Sequence, residues 1–479
     1  MSTPASGRAE KGEVLDGALS APVSPGVPLA ESPTSTGSPA GLETPPGPSR
    51  VYCAPPEWQD ALLEELQRVH PTSRHGIRSP GWLESYLTPE EAQQVPALAF
   101  VSQSFDQPQP IEGSSINAIA RAAFPRLVAA LKDHQGPWRL QVSCVDYAGG
   151  PVSRQRCQRI EGVLWELLKE KQRRLARTRV AEPHALWQPD EALVQLALET
   201  SEHGWLSVLL PDTRIRLRRI LSRFPGGDFE IEDDLGPPSS AFKKVVEGQA
   251  VLGRHIRKGE KCVDLGGCPG GWTYIALKAG AHVLAVDRSP LRDDLMAHRR
   301  LEFVQGDAFR FAPITPVDWL LCDVIAFPQR SIAMLDQWLS QGWCKHFIVT
   351  LKFKGKEDYA QVDECKRMLA NHPVDFLIRH LNINRNEVTV MGSRIPTRRG
   401  LEVSPGSVEV PVLPLEAPSM PAQAVKRVSG PLSRTGSRPA STPGSKPVSK
   451  PTSKSALRPA STPSPNSVSR PPNKRSRSR

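Results

Sequence analysis

Short apolar runs alternate with amphipathic stretches between residues 260 and 391 of the 479-residue chain. This pattern is typical of parallel strands joined by helices that cover both faces of the sheet. The last two runs are separated by one short polar segment, which favours an antiparallel pair at the end of the sheet. The predicted strands are Lys261–Leu265, Ala281–Asp287, Leu301–Asp307, Val317–Val324, Phe347–Lys352, Val374–Leu381 and Glu387–Met391, and the predicted helices are Trp272–Lys278, Pro290–Arg299, Pro328–Gln341 and Lys356–His372. We therefore predict a Rossmann-like, seven-stranded α/β domain over residues 235–396.

Residues 51–234 show a different pattern, in which strands and helices mix without regular alternation. The predicted strands are Arg50–Ala54, Ala97–Ser104 and Trp138–Val145, the predicted helices are Glu57–Val69, Ile116–Lys132 and Arg154–Arg177, and Ala192–Leu210 is a predicted hairpin that turns at residues 202–204. Nine Lys or Arg residues lie between Arg154 and Arg179. A solvated helix face and an RNA-contacting face explain such charges equally well. The pattern predicts an α+β region without a chemical motif.

The two ends of the chain lack apolar periodicity and are rich in proline and serine. Segments of this composition bury too little apolar area to offset the entropy of ordering, so we predict disorder for residues 1–50 and 397–479. The formal net charge of +11 arises in the second of these segments, since residues 426–479 hold 13 basic and no acidic side chains. Residues 51–425 carry no net charge. A cationic tail suits RNA contact through counterion release, or serves only as a solubilising extension.

The cysteine pattern and the hydropathy indicate where in the cell the protein is expected and which kinds of site it is expected to lack. The eight cysteines form no C-x-x-C pair and no zinc-binding spacing, and no apolar run approaches the length of a membrane span. We therefore expect a reducing, cytoplasmic location, with no membrane association and no metal site.

A turn with four glycines joins the first predicted strand of the α/β domain to its first helix, over residues 263–274. Glycine lets the backbone pass close to a ligand, and the first helical turn offers unpaired N–H groups. Such a turn marks a nucleotide-type cofactor site. The G-x-G-x-x-G spacing and a Walker lysine are absent, which argues against NAD, FAD and ATP and leaves S-adenosylmethionine as the leading cofactor. Gly266 and Trp272 of this turn are candidate cofactor-binding residues.

Three carboxylates lie at the ends of consecutive predicted strands, where an open parallel sheet binds its ligands. Asp287 follows the glycine-rich turn by about twenty residues, a distance at which a carboxylate can bind both ribose hydroxyls. Asp307 is a candidate for the adenine amine, and Asp264 for orienting the turn or binding the methionine amine. Each alone is an ordinary turn or cap residue, whereas all three together indicate a cofactor site.

Further charged residues extend this edge of the sheet. Lys352 closes a buried apolar strand, which is costly unless its side chain faces the cleft. Asp323 ends the preceding strand, Glu387 opens the last one, and Lys244 lies upstream of the sheet. Taken singly, Lys244 or Glu387 would pass as surface charge.

Together, Lys244, Asp323, Lys352 and Glu387 resemble the Lys-Asp-Lys-Glu tetrad of FtsJ-like RNA 2′-O-ribose methyltransferases. The runs at 264–274, 337–352 and 387–390 are similar to the bacterial 23S rRNA cytidine 2′-O-methyltransferases of the RlmM type. The resemblance is strong over residues 235–396. It is weaker but collinear over residues 51–234, where that family carries a small N-terminal domain and an RNA-binding THUMP domain.

This resemblance implies roles for individual residues. Lys352 falls on the family's proton acceptor, with Lys244 and Glu387 holding the lysine and the ribose, and Lys244 is preferred to Lys243 because Glu247 follows it by three residues. Ser240 stands where the family has an arginine, which affects the grip on the substrate strand. Direct methyl transfer from S-adenosylmethionine to a ribose hydroxyl needs no metal ion. The residues that fall on cofactor positions are Ser239, Cys268, Pro269, Gly270, Gly271, Asp287, Asp307 and Asp323.

Two other functions fit parts of the pattern. A methyltransferase could act on a different acceptor, although base N-methylation usually requires an Asn/Asp-Pro-Pro-Phe/Tyr-like loop, and residues 322–325 do not form one. Alternatively, the chain could be a non-catalytic RNA-binding or ribosome assembly factor with a degenerate methyltransferase fold. Binding of S-adenosylmethionine distinguishes an enzyme from such a factor.

Overall fold

The computed structural model describes residues 48–147, 149–182 and 185–396. The predictions of disorder for residues 1–47 and 397–479 concern residues outside this part of the chain. Arg50, which closes the first segment predicted to be disordered, begins a buried strand instead.

The first sheet has four antiparallel strands in the order β2-β3-β1-β4. Its elements are β1 (Arg50–Cys53), α1 (Gln59–Val69), β2 (Arg74–Ser79), β3 (Trp82–Tyr86), α2 (Pro89–Gln93) and β4 (Gln103–Asp106). The predicted strand Ala97–Ser104 is wrong over most of its length. Residues 97–101 form a buried loop that packs beside α1, so their apolar character reflects burial and not strand pairing.

The second sheet has the order β5-β8-β7-β6, with β6 and β7 parallel. Helices α3 and α4 cover it, and a serine side chain caps the N-terminus of each. The long predicted helix breaks at Gln172, whose φ of −137° is not helical, and the hairpin turns at residues 199–202, before β8 begins. The elements are β5 (Gln109–Glu112), α3 (Ile116–Ala130), β6 (Trp138–Cys144), α4 (Arg154–Lys171), α5 (Arg173–Thr178), β7 (Ala192–Leu198), β8 (His203–Leu209) and α6 (Pro211–Arg216).

The third sheet has seven strands in the order β11-β10-β9-β12-β13-β15-β14, and only β15 is antiparallel to its neighbours. Apolar clusters cover both faces, as expected for a doubly wound sheet. The prediction of a Rossmann-like seven-stranded domain is confirmed. Its elements are α7 (Phe242–Leu252), β9 (Lys261–Leu265), α8 (Gly271–Lys278), β10 (His282–Asp287), α9 (Asp293–Met296), β11 (Leu301–Gln305), β12 (Val317–Cys322), α10 (Pro328–Ser340), β13 (Cys344–Lys352), α11 (Gln361–Ala370), β14 (Val374–Arg379) and β15 (Glu387–Arg394).

Two predicted helices of this domain are shorter than expected. Within the predicted helix Pro290–Arg299, only the single turn α9 forms, and the chain enters β11 soon after it. Residues 356–360 of the predicted helix Lys356–His372 form 3-10 turns before α11 begins.

Helix α1 connects the first sheet to the third through side-chain contacts. The Glu65 carboxylate accepts hydrogen bonds from the backbone N–H groups of Ala99 and Phe100 and forms a 2.7 Å ion pair with Lys366 on α11. Burial alone would lower the pKa of Lys366, but the charges of Glu65 and Asp363 outweigh it and raise that pKa. These contacts hold α11, which packs against the part of the third sheet that contains β13, β14 and β15.

Candidate active site

The glycine-rich turn connects the end of β9 to the start of α8, and its backbone takes conformations that side chains disfavour. Gly266 has a φ of 75° and Gly270 a φ of 114°. A Cβ atom at Gly270 would lie 2.3 Å from Cδ1 of the buried Leu295, and one at Gly271 would lie 2.6 Å from the Oγ of Ser239. A side chain at Gly270 would therefore meet both a disfavoured φ and a close neighbour, and one at Gly271 would displace the Ser239 hydroxyl.

Asp287, at the end of β10, fixes this turn through the backbone. Its Oδ2 accepts a 3.0 Å hydrogen bond from the N–H of Cys268, and its Oδ1 accepts a 2.9 Å bond from the N–H of Ser289. The Cys268–Pro269 peptide bond that follows is cis. A carboxylate has about four acceptor positions, so Asp287 keeps capacity for a ribose hydroxyl while holding the turn.

Asp264 lies beneath the turn and is buried. Its Oδ2 accepts a 2.6 Å hydrogen bond from the Thr273 hydroxyl in the first turn of α8. Burial raises the pKa of Asp264 to about 7, the Thr273 hydroxyl opposes this rise, and the charges of Asp323 and Asp287 add to it. Asp264 thus orients the turn from below.

The raised pKa predicts a dependence of stability on pH. Between the unfolded value, about 3.9, and the folded value, about 7, the folded chain keeps a proton that the unfolded chain releases, so stability falls as pH rises. The variant Asp264→Asn lacks this titration. The free energy of unfolding of this variant and of the wild type would be measured by urea denaturation at pH 4 and at pH 8. The difference, variant minus wild type, should increase by a few kcal/mol between these two pH values. Parallel curves for the two proteins would contradict the assignment.

A cleft of about 190 Å³ opens above the turn, between the ends of β9, β10, β11 and β12. Asp307 accepts from the N–H of Phe309 at 3.0 Å and pairs with Arg288 at 3.1 Å, and these contacts lower its pKa. The Arg330 guanidinium lies 4.0 Å from the centroid of the Phe309 ring. The residues that line the cleft include Gly266, Asp287, Gly306, Asp307, Val324 and Ile325. Two carboxylates and a bare glycine backbone fit a nucleoside with a ribose diol.

Trp272 and Ser239 lie behind the cleft. The Trp272 side chain is buried in the core, and its indole N–H donates a 2.8 Å hydrogen bond to the carbonyl of Ala241, just before α7. The part that Trp272 can offer a cofactor is therefore its backbone in the first turn of α8. Ser239 borders the same turn at Gly271.

Lys244, Asp323, Lys352 and Glu387 come together at the same edge of the sheet, next to the cleft. Lys244 Nζ lies 3.1 Å from Asp323 Oδ2 and 2.6 Å from Glu387 Oε1. Lys352 Nζ lies 2.9 Å from Asp323 Oδ1 and 3.8 Å from Glu387 Oε2. Lys352 and Glu387 are register partners on β13 and β15, whereas Lys243 pairs with the exposed Asp233. Each lysine thus contacts both carboxylates, and the four formal charges cancel.

The two lysines differ in exposure, which separates their roles. The Lys244 side chain is 10% exposed, whereas that of Lys352 is 21% exposed and has the looser contact with Glu387. Lys244 therefore holds the two carboxylates from within, and the Lys352 side chain is the more accessible of the two. Glu247, one turn after Lys244, accepts from the backbone N–H of Asn382 and ties α7 to the loop that leads into Glu387.

Several residues of the site have no counterpart among the predictions. The Thr350 hydroxyl donates a 2.7 Å hydrogen bond to Asp323 Oδ1, and its position two residues before Lys352 on the same strand face is the signal that could have found it. Arg288, Phe309 and Arg330 join the cleft through Asp307. Arg330 could not have been found, because it lies on α10, beyond an intervening strand.

Comparison with known proteins places the chain in a family. A family model described as "FtsJ-like methyltransferase" matches residues 239–402. The "Ribosomal RNA large subunit methyltransferase M" of Alkalilimnicola ehrlichii is 31% identical over 307 residues, which cover 62% of this chain and 80% of that protein. The chain belongs to the ribosomal RNA large subunit methyltransferase M family. The cofactor prediction is confirmed with it, since S-adenosylmethionine is the methyl donor of an FtsJ-like methyltransferase domain.

Two other relatives are matched over shorter stretches of this chain. The family member from Thauera aminoaromatica is 38% identical over 179 residues, or 35% of this chain, and that from Azoarcus sp. (strain BH72) is 31% identical over 215 residues, or 43%. These alignments span 49% and 57% of the two relatives, so the chain matches about half of their length. The crystal structure of TrmN from Thermus thermophilus aligns with 72% of this chain over 99% of its own length, with 17% identity and a TM-score of 0.24.

The described residues contain no group of three or more His, Cys, Asp or Glu side chains that could hold a metal ion. None of the helices in this part of the chain has both the length and the apolar character needed to cross a membrane.

The packing of the glycine-rich turn predicts a loss of cofactor affinity on substitution. In Gly270→Ala, the new Cβ collides with Leu295 and residue 270 keeps a φ that alanine disfavours, so we expect the turn to shift and its hydrogen bond to Asp287 to be disturbed. We expect S-adenosylmethionine to bind at least about tenfold more weakly by isothermal titration calorimetry. Gly259→Ala is the matched control, because Gly259 has a φ of 85° but no atom within 4 Å of the new Cβ. Equal affinities for the two variants would argue against the collision.

Proposed function

We propose that this protein transfers a methyl group from S-adenosylmethionine to the 2′-hydroxyl of a ribose in RNA, and that the RNA is 23S rRNA, with a cytidine as the target. The observation that carries the proposal is the cluster of Lys352, Asp323, Lys244 and Glu387 beside the cofactor cleft. Membership of the family supports an rRNA substrate.

Bound S-adenosylmethionine would supply an electrophilic methyl group, whose bond to the sulfonium sulfur breaks during the transfer and leaves S-adenosylhomocysteine. A ribose hydroxyl is a poor nucleophile at neutral pH, so its O–H bond must break as the new O–C bond forms. In the proposed reaction, Lys352 accepts this proton at Nζ. The carboxylates of Asp323 and Glu387 then stabilise the ammonium that results, and Lys244 keeps both carboxylates in position. Placement of the oxygen in line with the methyl group accounts for much of the acceleration.

The region before the third sheet is proposed to bind the RNA, as a small N-terminal domain followed by a THUMP domain over residues 51–234. Support comes from the basic side chains of α4 and α5. Some of them are held by protein groups, as in the 2.7 Å ion pair between Lys169 and Glu166 on α4. Others are exposed to solvent, namely Arg159, Lys171, Arg173 and Arg177. Exposed cations of this kind bind phosphates without sequence preference. A cytoplasmic location follows from an rRNA substrate.

The proposal is tested by mapping 2′-O-methyl groups in rRNA through reverse transcription. RNA from cells with the protein, without it, and with the Lys352→Ala variant would be compared. We expect one 23S rRNA position to lose its signal both in the absence of the protein and with the variant. An unchanged map would leave the protein without the proposed substrate.

A further inference from the structure

The segment after Asp323 exposes two apolar side chains beside the active site. Ile325 is 89% exposed and Phe327 is 55% exposed. Single exposed apolar side chains are common on protein surfaces. These two lie within four residues of Asp323, on the loop that enters α10, and Ile325 also lines the cofactor cleft. Their position next to reacting groups calls for a ligand with an apolar face.

A lysine lies against this surface. Lys354 Nζ is 4.3 Å from the centroid of the Phe327 ring. Lys354 follows Lys352 by two residues, in the bend after β13, and Phe327 follows Asp323, the 2.9 Å partner of Lys352, by four residues. Both connections keep the ring near a ribose placed at Lys352, on the scale of a neighbouring nucleotide.

We propose that Ile325, Phe327 and Lys354 form a platform for an unpaired nucleobase next to the methylated nucleotide. The base stacks on the Phe327 ring and contacts Ile325, while Lys354 contacts the adjoining phosphate. Aromatic faces stack on any base, and single-stranded RNA is the substrate class that combines such faces with regular negative charge. This proposal rests on the proposed function and adds to it that the target lies in a single-stranded stretch of RNA.

The first test measures binding of a fluorescein-labelled single-stranded RNA oligonucleotide to the full chain by fluorescence anisotropy. Phe327→Ala should weaken binding by about fivefold or more, and Phe327→Trp should restore it, because stacking needs an aromatic ring. Lys354→Ala should lower the salt dependence of binding by about one phosphate contact. The matched control is Ile314→Ala, since Ile314 is 88% exposed but precedes β12, at the opposite edge of the sheet. If Phe327→Ala binds as tightly as Ile314→Ala, the platform is wrong, and a partner other than RNA covers the patch.

A second test uses methylation of 23S rRNA transcribed in vitro. Phe327→Ala should raise KM with little change in kcat, and S-adenosylmethionine should bind normally. If the wild type methylates this RNA and the two variants Phe327→Ala and Ile314→Ala have equal KM values, the platform fails while the proposed function stands. If the wild type methylates no RNA, the proposed function fails, and the anisotropy measurements still decide whether Phe327 binds a base.

Discussion

Replacement of Lys352 by alanine is expected to slow RNA methylation by about 10²- to 10⁴-fold, the range for loss of a general base. Lys352 has the more exposed side chain of the two lysines in the cluster, and in the proposed mechanism its removal leaves the hydroxyl proton without an acceptor. Asp287 and the glycine-rich turn are not touched. Affinity for S-adenosylmethionine should therefore stay near that of the wild type. Single-turnover transfer of a tritiated methyl group to 23S rRNA and isothermal titration calorimetry measure the two properties.

Lys345→Ala is the matched control for this substitution. Lys345 lies on the same strand, β13, but at its opposite end, where it pairs with Asp318 at 2.7 Å. Its removal should change neither rate nor cofactor affinity. A wild-type rate in Lys352→Ala would remove Lys352 from the mechanism, and loss of cofactor binding would show that the lysine has a structural role.

Replacement of Glu65 by alanine is expected to lower the free energy of unfolding by about 3–5 kcal/mol. Glu65 is fully buried and satisfies two backbone N–H groups and the largely buried ammonium of Lys366. Its loss leaves the buried N–H groups of Ala99 and Phe100 without their acceptor. The Lys366 ammonium then keeps Asp363 as its remaining acidic partner. Urea denaturation followed by tryptophan fluorescence measures the change.

Glu64→Ala controls for the loss of a carboxylate from α1, since Glu64 is the exposed neighbour of Glu65 on the same helix. Its effect should stay within about 0.5 kcal/mol. Equal effects of the two substitutions would mean that Glu65 does not join the two sheets.

The third sheet could be predicted because each of its strands carries its own signal. The apolar runs of β9, β10 and β12 end in carboxylates or glycines, and this local information suffices for both the strand and the edge where the ligand lies. Helix α7 has no predicted counterpart, although it carries Lys244. It begins at Phe242, the preceding Ala241 provides no side-chain cap, and its first turn has no acidic residue, so the usual start signals are absent.

The first sheet was harder to predict, because its burial depends on distant residues. Strand β2 lies at the edge of its sheet and is largely exposed, so it lacks the alternation that marks a strand. The run from Ala97 to Val101 is apolar because α1 and the third sheet cover it, and a sequence pattern cannot show such a cover. The Glu65–Lys366 pair joins residues 301 positions apart, and no spacing rule connects them.

The position of β15 has a consequence for synthesis of the protein. It lies between β13 and β14 although it follows both in the chain, and it brings Glu387 opposite Lys352. A nascent chain that has emerged only as far as β14 therefore leaves one edge of β13 unpaired and Lys352 without its second carboxylate. The active site is completed only when the eight residues of β15 insert between two strands that are already made. A ribosome-bound chain that ends before Glu387 should therefore be inactive, even with its cofactor cleft fully formed.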